Sequence, residues 1–189
     1  MQLSELLIPT FTQALKALGA WLAKGAAHEE AAGREPDGLL SGRIAPDMFP
    51  LATQIRFGCF SAQEFAYWLR GEPLPDAVLA VRQAGRDAAE RPGTMADAQA
   101  QIAAALEFLS QLDAAEIDAR AGRQVTLELP TGHVFEMTGD QYARDWALPQ
   151  FYFHLIAAYA ILRGRGVPLG KVDYLPHMFA YLRPGSGPA

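Results

Sequence analysis

Four long stretches of this chain carry apolar residues at steps of three and four positions. That spacing places the apolar side chains on one face of a helix, which must then pack against other elements. The most regular stretch is residues 98–112, and Thr94 with Asp97 three positions later predicts a capping box at its start. The other three predicted helices cover residues 3–27, 47–70 and 150–163.

Proline and glycine residues mark the ends of two of these helices. Asp47 is predicted to be the N-cap of the second helix, with Pro50 in its first turn, and Gly71 is predicted to end it. Pro149 is predicted to open the fourth helix, because the first turn of a helix tolerates a residue without an N–H. Connections rich in glycine, proline and charge are therefore expected between the long helices.

Two of these connections contain weaker helical signals. Residues 36–40 suit a short helical turn. Residues 78–89 have helical composition but a weak apolar stripe, and Arg91, Pro92 and Gly93 follow them. The segment from 72 to 93 is therefore predicted to be a mobile or short helical excursion.

The period of the sequence changes before the fourth helix. Residues 124–129 and 133–138 alternate polar and apolar side chains, and they flank the turn signal at residues 130–132. This pattern predicts a β-hairpin, which must pack on the helices because an isolated hairpin is only marginally stable in water. A short helix is expected to follow from Gly139 to Trp146.

These elements together predict an all-α protein, an up-and-down four-helix bundle with a small β-hairpin between helices 3 and 4. We expect one domain over residues 1–189, because a chain of this length is too short for two large cores. Residues 3–175 are its expected core. The tail, residues 176–189, is expected to fray from Arg183 to Gly185.

Charge and cysteine content limit the class of function. The net charge is −5 and no cluster of Lys and Arg is present, so we expect neither a nucleic acid nor a membrane as partner. Cys59 is the sole cysteine, so no disulfide can form within the chain. The N-terminal apolar residues are periodic rather than continuous, which is typical of neither a secretory signal nor a membrane span. The expected location is the cytoplasm.

His154 is the main candidate for a functional side chain. It shares a face of the fourth helix with Phe151, Ala158 and Ile161, so the imidazole is expected to point into the core or a core-lined pocket. An inward imidazole needs a partner from another helix, and Gln54 on the second helix is the candidate. The ring is then either a metal ligand or general base, or a core histidine that fixes the register of the helices.

The same helix carries further polar side chains that are candidates for ligand binding. Tyr152 and Tyr159 are seven positions apart and Arg163 follows four later, which places all three along one stripe. Such a stripe suits either a pocket wall, with Arg163 holding an anionic ligand, or packing with the hydroxyl groups in water. The sequence contains no His-x-x-x-His pair, no Glu-x-x-His pair and no Cys/His cluster, so no metal site is predicted.

Four segments of the chain carry a family resemblance. They are APDMFPL at 45–51, LPQFYFH at 148–154, AYAILR at 158–163 and GVPLGK at 166–171. These segments resemble a bacterial domain-of-unknown-function family in the DinB/YfiT-like superfamily, and the resemblance covers residues 3–175. It implies a DinB-like four-helix bundle, often a homodimer.

The resemblance also implies a divalent metal site made of three histidines, one from the second helix and two from the fourth as His-x-x-x-His, and in some members a thiol-dependent transferase activity. This chain departs from that pattern, because Ala158 stands four residues after His154 and the second helix has no histidine. We therefore expect a bundle without the metal triad and without a cofactor, which binds a small molecule near His154. The alternative is a metal- or His-dependent transferase or hydrolase, with His154 as the base.

Overall fold

The computed structural model describes residues 1–129 and 131–185, which are mostly helical. In chain order its α-helices are α1 (Leu3–Ala31), α2 (Leu51–Arg70), α3 (Asp76–Asp87), α4 (Met95–Ser110), α5 (Ala114–Asp118), α6 (Gly139–Tyr142), α7 (Leu148–Gly164) and α8 (Lys171–Tyr174). Strands β1 (Gln124–Glu128) and β2 (Val134–Thr138) form an antiparallel pair. Two 3-10 segments, Pro36–Ser41 and Pro176–Tyr181, and a π-helical turn, Ala143–Ala147, complete the fold.

Helices α1, α2, α4 and α7 form a four-helix bundle, which confirms the predicted fold class. Helices α1 and α2 each pack against both α4 and α7, so α1 and α2 lie on opposite corners. Their apolar stripes meet at a cluster of rings in which Phe11 contacts Phe65 and Phe151. By length and composition alone, α1 is apolar enough to cross a membrane. Its apolar stripe is buried in the bundle, as in the core helix of a soluble protein.

The start of α2 differs from the sequence prediction, and the predicted N-cap at Asp47 is wrong. Helix α2 begins at Leu51, with Pro50 in the N-cap position and no side chain that caps it. A residue before proline is pushed out of the helical region, so Phe49 cannot continue a helix that starts at Asp47. The predicted helix end is confirmed, since Gly71 adopts the left-handed conformation with φ +70°.

Residues 76–87, within the segment predicted as a mobile or short helical excursion, form helix α3, which packs along α2. Its buried face consists of Val78, Val81 and Gly85, with Ala88 directly after the helix. The steps of three and four between these positions form a helical stripe of small residues, which a search for large apolar side chains underestimates. At Gly85 a Cβ atom would lie 2.6 Å from the ring of Phe57, so the absence of a side chain lets α3 approach α2 closely.

The predicted hairpin is confirmed, with Gln124 opposite Thr138 and Glu128 opposite Val134. Val125 and Leu127 are buried, and β1 contacts α2, so one face of the hairpin packs on the bundle. The predicted turn includes Pro130, which lies outside the described residues.

The fourth bundle helix has no break before it, contrary to the prediction of a separate short helix. Helix α6, the π turn and α7 form one continuous helical run from Gly139 to Gly164. The N–H of Leu148 bonds to the carbonyl of Ala143, five residues earlier. Pro149 would clash with the carbonyl four residues before it in a regular helix, and the wider π turn explains how the helix accommodates it.

The chain after α7 lies across the bundle as predicted. Trp21 Nε1 donates to the carbonyl oxygen of Asp173 over 2.7 Å, and the Trp21 ring stacks on Tyr174 with centroids 5.7 Å apart. The Asp173 carboxylate also pairs with Lys24 at 3.2 Å. Of the tail at residues 176–189, residues 186–189 lie outside the described residues.

Candidate functional site

A hydrogen bond between His154 and Gln54 joins α7 to α2 at the centre of the candidate site. The imidazole Nδ1 lies 2.9 Å from Gln54 Oε1, and the two side chains are only 6% and 3% exposed. His154 shares the inward face of α7 with Phe151, Ala158 and Ile161, all of them buried. The prediction that His154 points inward and takes its partner from another helix is therefore confirmed.

The orientation of the Gln54 amide determines where the imidazole carries its proton. Gln54 Nε2 donates to the carbonyl oxygen of Phe49 over 3.2 Å, so Oε1 is the atom that faces His154. An amide oxygen only accepts, so Nδ1 must be protonated and Nε2 keeps a free lone pair. Burial lowers the pKa of His154 to about 4, so the ring is neutral at neutral pH. Nε2 has no hydrogen-bond partner within residues 1–129 and 131–185.

A cavity of about 410 Å³ adjoins His154 between α2, α3 and the start of α7. Its apolar walls are the rings of Phe49, Phe57, Phe60 and Phe153. The imidazole contacts Phe57 and Phe153, with ring centroids 5.2 Å apart in each pair. A ligand in this cavity would meet aromatic surface on several sides and the free imidazole nitrogen on one.

The polar part of the lining is cationic and hydroxylic rather than acidic. Arg82 and Arg86, four apart on α3, face the cavity together with Ser61 and Gln150. The guanidinium carbon of Arg82 lies 5.6 Å from the centroid of the Phe60 ring, which is a cation–π contact. No aspartate or glutamate belongs to the cavity lining in the part of the chain that the structure describes.

Sequence reasoning missed both arginines as site residues. The signal available to it was their spacing, since side chains four apart share a helical face. That signal does not say where the face points. The direction is decided by the packing of α3 on α2, which turns Val78 and Val81 inward and brings Arg82 and Arg86 to the cavity.

The structure does not bring Tyr152, Tyr159 and Arg163 together with His154. A helix turns by about 100° per residue, so these three positions lie roughly 140–180° away from His154 around α7. Arg163 is exposed in the last turn of the helix. The predicted stripe therefore exists, but it faces away from the His154 cavity.

The two tyrosines of that stripe have separate surroundings. Tyr152 lines a smaller cavity of about 200 Å³, together with Tyr174 from α8. Tyr159 packs edge-on against Trp21, with ring centroids 5.3 Å apart. Tyr159 is thus part of the aromatic contacts that attach the α8 segment, and the ligand role predicted for these residues stays a prediction.

The residues around His154 do not fit the three-histidine metal site of the superfamily. Gln54 stands opposite His154, and its amide oxygen is already engaged by Nδ1–H. Ala158, one turn later on α7, has no donor atom. Among the described residues, no three His, Cys, Asp or Glu side chains lie together in a way that would hold a metal ion.

Glu64 is a buried carboxyl group one helical turn beyond Phe60 on α2. Burial raises its pKa to about 7, although a hydrogen bond from Trp68 Nε1 at 3.1 Å and the charge of Arg82 favour the ionised form. The hydroxyl of Tyr142 is also buried, and it has no hydrogen-bond partner in the described residues. Glu64 does not line the cavity, although Phe60 and Arg82, which do, are its neighbours.

Comparisons with known proteins identify the family and the fold of the chain. The model of the family described as "Domain of unknown function (DUF1993)" matches residues 3–175. The chain is also similar to a solved structure from Shewanella denitrificans, described as the crystal structure of a DinB family member protein. The two are 30% identical, the match covers 98% of this chain and 96% of that chain, and the TM-score is 0.76. No curated protein matches. The chain therefore belongs to the DUF1993 family of domains of unknown function, and its fold is DinB-like.

Proposed function

We propose that this protein binds a small, mostly apolar organic molecule in the cavity beside His154. The observation that carries the proposal is the free lone pair of His154 Nε2 beside a cavity with aromatic walls. Binding sites for small molecules are commonly concave and apolar with a few placed polar groups. In this arrangement the aromatic rings hold the body of the ligand, and Nε2 accepts a hydrogen bond from its O–H or N–H.

A binding role is favoured over proton transfer by the surroundings of the imidazole. A general base works best when its pKa is near the operating pH, and burial lowers the pKa of His154 to about 4. The group that orients the ring is the neutral amide of Gln54, which does not stabilise an imidazolium as a carboxylate would. With a lowered pKa and a neutral partner, His154 is suited to accept a hydrogen bond from a ligand and is a weak base.

The proposal is tested by titrating the protein with 2-naphthol and, separately, with 2-methoxynaphthalene. The two probes share an aromatic body, but only 2-naphthol has an O–H to donate. Isothermal titration calorimetry is expected to show that the wild type binds 2-naphthol roughly 3- to 10-fold more tightly, the effect of one neutral hydrogen bond. In His154→Phe the aromatic surface stays and the acceptor is lost, so the two probes should bind equally.

The matched control is His133→Phe, the same substitution at an exposed position on the hairpin. This variant should keep the preference of the wild type for 2-naphthol. Circular dichroism melting curves verify that each variant is folded. If neither probe binds the wild type, or if the preference survives in His154→Phe, the proposed site is wrong.

We also propose that the protein is a homodimer, as the resemblance implies. The support is an apolar outer face on α7, where Phe153 and Ile156 are 66% and 52% exposed. Sedimentation velocity at micromolar concentration is expected to give a dimer for the wild type and a monomer for the double variant Phe153→Ser, Ile156→Ser. A wild-type monomer would contradict this proposal.

We propose that the protein is located in the cytoplasm. The thiol of Cys59 is buried in the bundle core and forms no disulfide. Burial raises the pKa of this thiol to about 12, so it is held as an inert neutral group. Nothing in this environment requires an oxidising compartment.

A further inference from the structure

Two arginines with no paired carboxylate line one side of the His154 cavity. Arg82 and Arg86 stand four apart on α3, and neither forms a hydrogen bond or an ion pair with a carboxylate in residues 1–129 or 131–185. The charge of Arg82 acts on Glu64, but this carboxyl group is buried and accepts a hydrogen bond from Trp68. In a chain with a net charge of −5, this cavity is therefore a local positive site.

The placement of the guanidinium groups suits recognition of an anion attached to a flat body. The Arg82 guanidinium lies over the Phe60 ring, with 5.6 Å between its carbon and the ring centroid. A guanidinium that uses its face for a cation–π contact still has its N–H donors at the edge for a carboxylate. Arg86, one turn further along α3, is exposed and adds a second charge at the cavity mouth.

The opposite side of the cavity has a different polar character. His154 is a neutral acceptor there, since its Nδ1 proton is used by Gln54 and its Nε2 is free. The imidazole lies between the rings of Phe57 and Phe153, and the cationic lining residues that the structure describes, Arg82 and Arg86, both come from α3. The cavity is thus polarised, with cationic donors from α3 and one neutral acceptor from α7.

We infer that the ligand of this cavity is an aromatic or similarly flat apolar molecule that carries an anionic group, with the anion held by Arg82 and Arg86 and the apolar body held between the phenylalanine rings. The inference rests on the proposed binding function and narrows it to a chemical class. A carboxylate is the simplest such group, because it matches the two parallel N–H donors of a guanidinium.

The test compares 2-naphthoate with 2-naphthamide, which has the same shape and no charge. Calorimetric titration of the wild type at low salt is expected to show roughly 10-fold tighter binding of the carboxylate, as charge-assisted hydrogen bonds give. In the double variant Arg82→Gln, Arg86→Gln this ratio should fall to about 1, because neither glutamine side chain carries a charge. Raising the salt concentration should reduce the ratio in the wild type, because the Arg86 end of the cavity is open to solvent.

The control is Arg163→Gln, the same type of substitution at one arginine on the outward stripe of α7. Arg163→Gln should bind 2-naphthoate more tightly than 2-naphthamide, as the wild type does. If this variant loses that preference, the anion is bound at the outward face of α7 and not in the His154 cavity. Equal binding of the two probes to the wild type, or a preference that survives in the Arg82→Gln, Arg86→Gln variant, overturns the inference. If the neutral probes bind and 2-naphthoate binds no more tightly than they do, the proposed binding function is kept and the inference of an anionic ligand is rejected. If none of the probes binds, the binding function itself fails.

Discussion

Replacing Phe11 with alanine is expected to lower the free energy of unfolding by about 3–5 kcal/mol, the usual cost of removing a large aromatic side chain from a core. Phe11 on α1 is fully buried. Its ring centroid is 4.9 Å from that of Phe65 on α2 and 4.7 Å from that of Phe151 on α7. One side chain thus connects three helices of the bundle, including the two on opposite corners, so its loss leaves a cavity that no single neighbour can fill.

Urea unfolding followed by circular dichroism measures this effect. The control is Phe179→Ala, which removes the same group from a position that is 59% exposed, and it should change the free energy of unfolding by less than about 0.5 kcal/mol. The prediction is contradicted if Phe11→Ala lowers the free energy of unfolding no more than Phe179→Ala does.

The variant Glu64→Gln is expected to be more stable than the wild type above neutral pH, by up to about 3 kcal/mol. Burial raises the pKa of Glu64 from 4.5 to about 7. The folded protein therefore keeps a proton that the unfolded chain has released, and stability is lost as the pH rises from about 4.5 to about 7. Glutamine remains neutral at every pH, and its amide oxygen still accepts the hydrogen bond from Trp68.

His154 contributes a pH dependence of the opposite sign. Its pKa is lowered from 6.5 to about 4 in the folded protein, so the unfolded chain binds the proton first. Stability is then lost as the pH falls from about 6.5 to about 4, by an amount similar to the Glu64 effect. Because the two windows overlap, the wild type should change little between about pH 4.5 and 6.5, and Glu64→Gln should reveal the slope due to His154.

Urea unfolding of the wild type and Glu64→Gln at a series of pH values from about 4.5 to 8 measures both effects. Glu136→Gln, on the exposed strand β2, is the control for the loss of one carboxylate. The prediction fails if the stability difference between Glu64→Gln and the wild type is the same at both ends of the pH range.

The parts of the fold that were predicted correctly have local signals. At the start of α4, Asp97 N–H donates to Thr94 Oγ1 and Thr94 N–H donates to the Asp97 carboxylate, which is the capping box that the sequence pattern indicates. The stop at Gly71 and the alternation in β1 and β2 are also properties of a few neighbouring residues. Such signals depend on backbone geometry over one or two turns, so they do not need the rest of the protein.

The errors arose where a local signal competes with a neighbour or with packing. Asp47 is a good N-cap by composition, but Pro50 keeps the residue before it from joining a helix. Helix α3 has a weak stripe because its contact with α2 uses the small residue Gly85, which a hydrophobicity pattern does not register. In both places the preferred structure is decided by steric fit and not by the average character of the segment.

The sequence by itself determined that this protein is a four-helix bundle and that His154 lies on the buried face of its last long helix, because helical periodicity fixes which residues share a face. Only the tertiary structure decided what surrounds that histidine. Gln54 reaches it across 100 positions of the chain, and Arg82 and Arg86 come from a helix that packs on the outside of α2. Contacts between distant segments depend on how whole helices approach each other, and that approach is set by the combined shape of their surfaces.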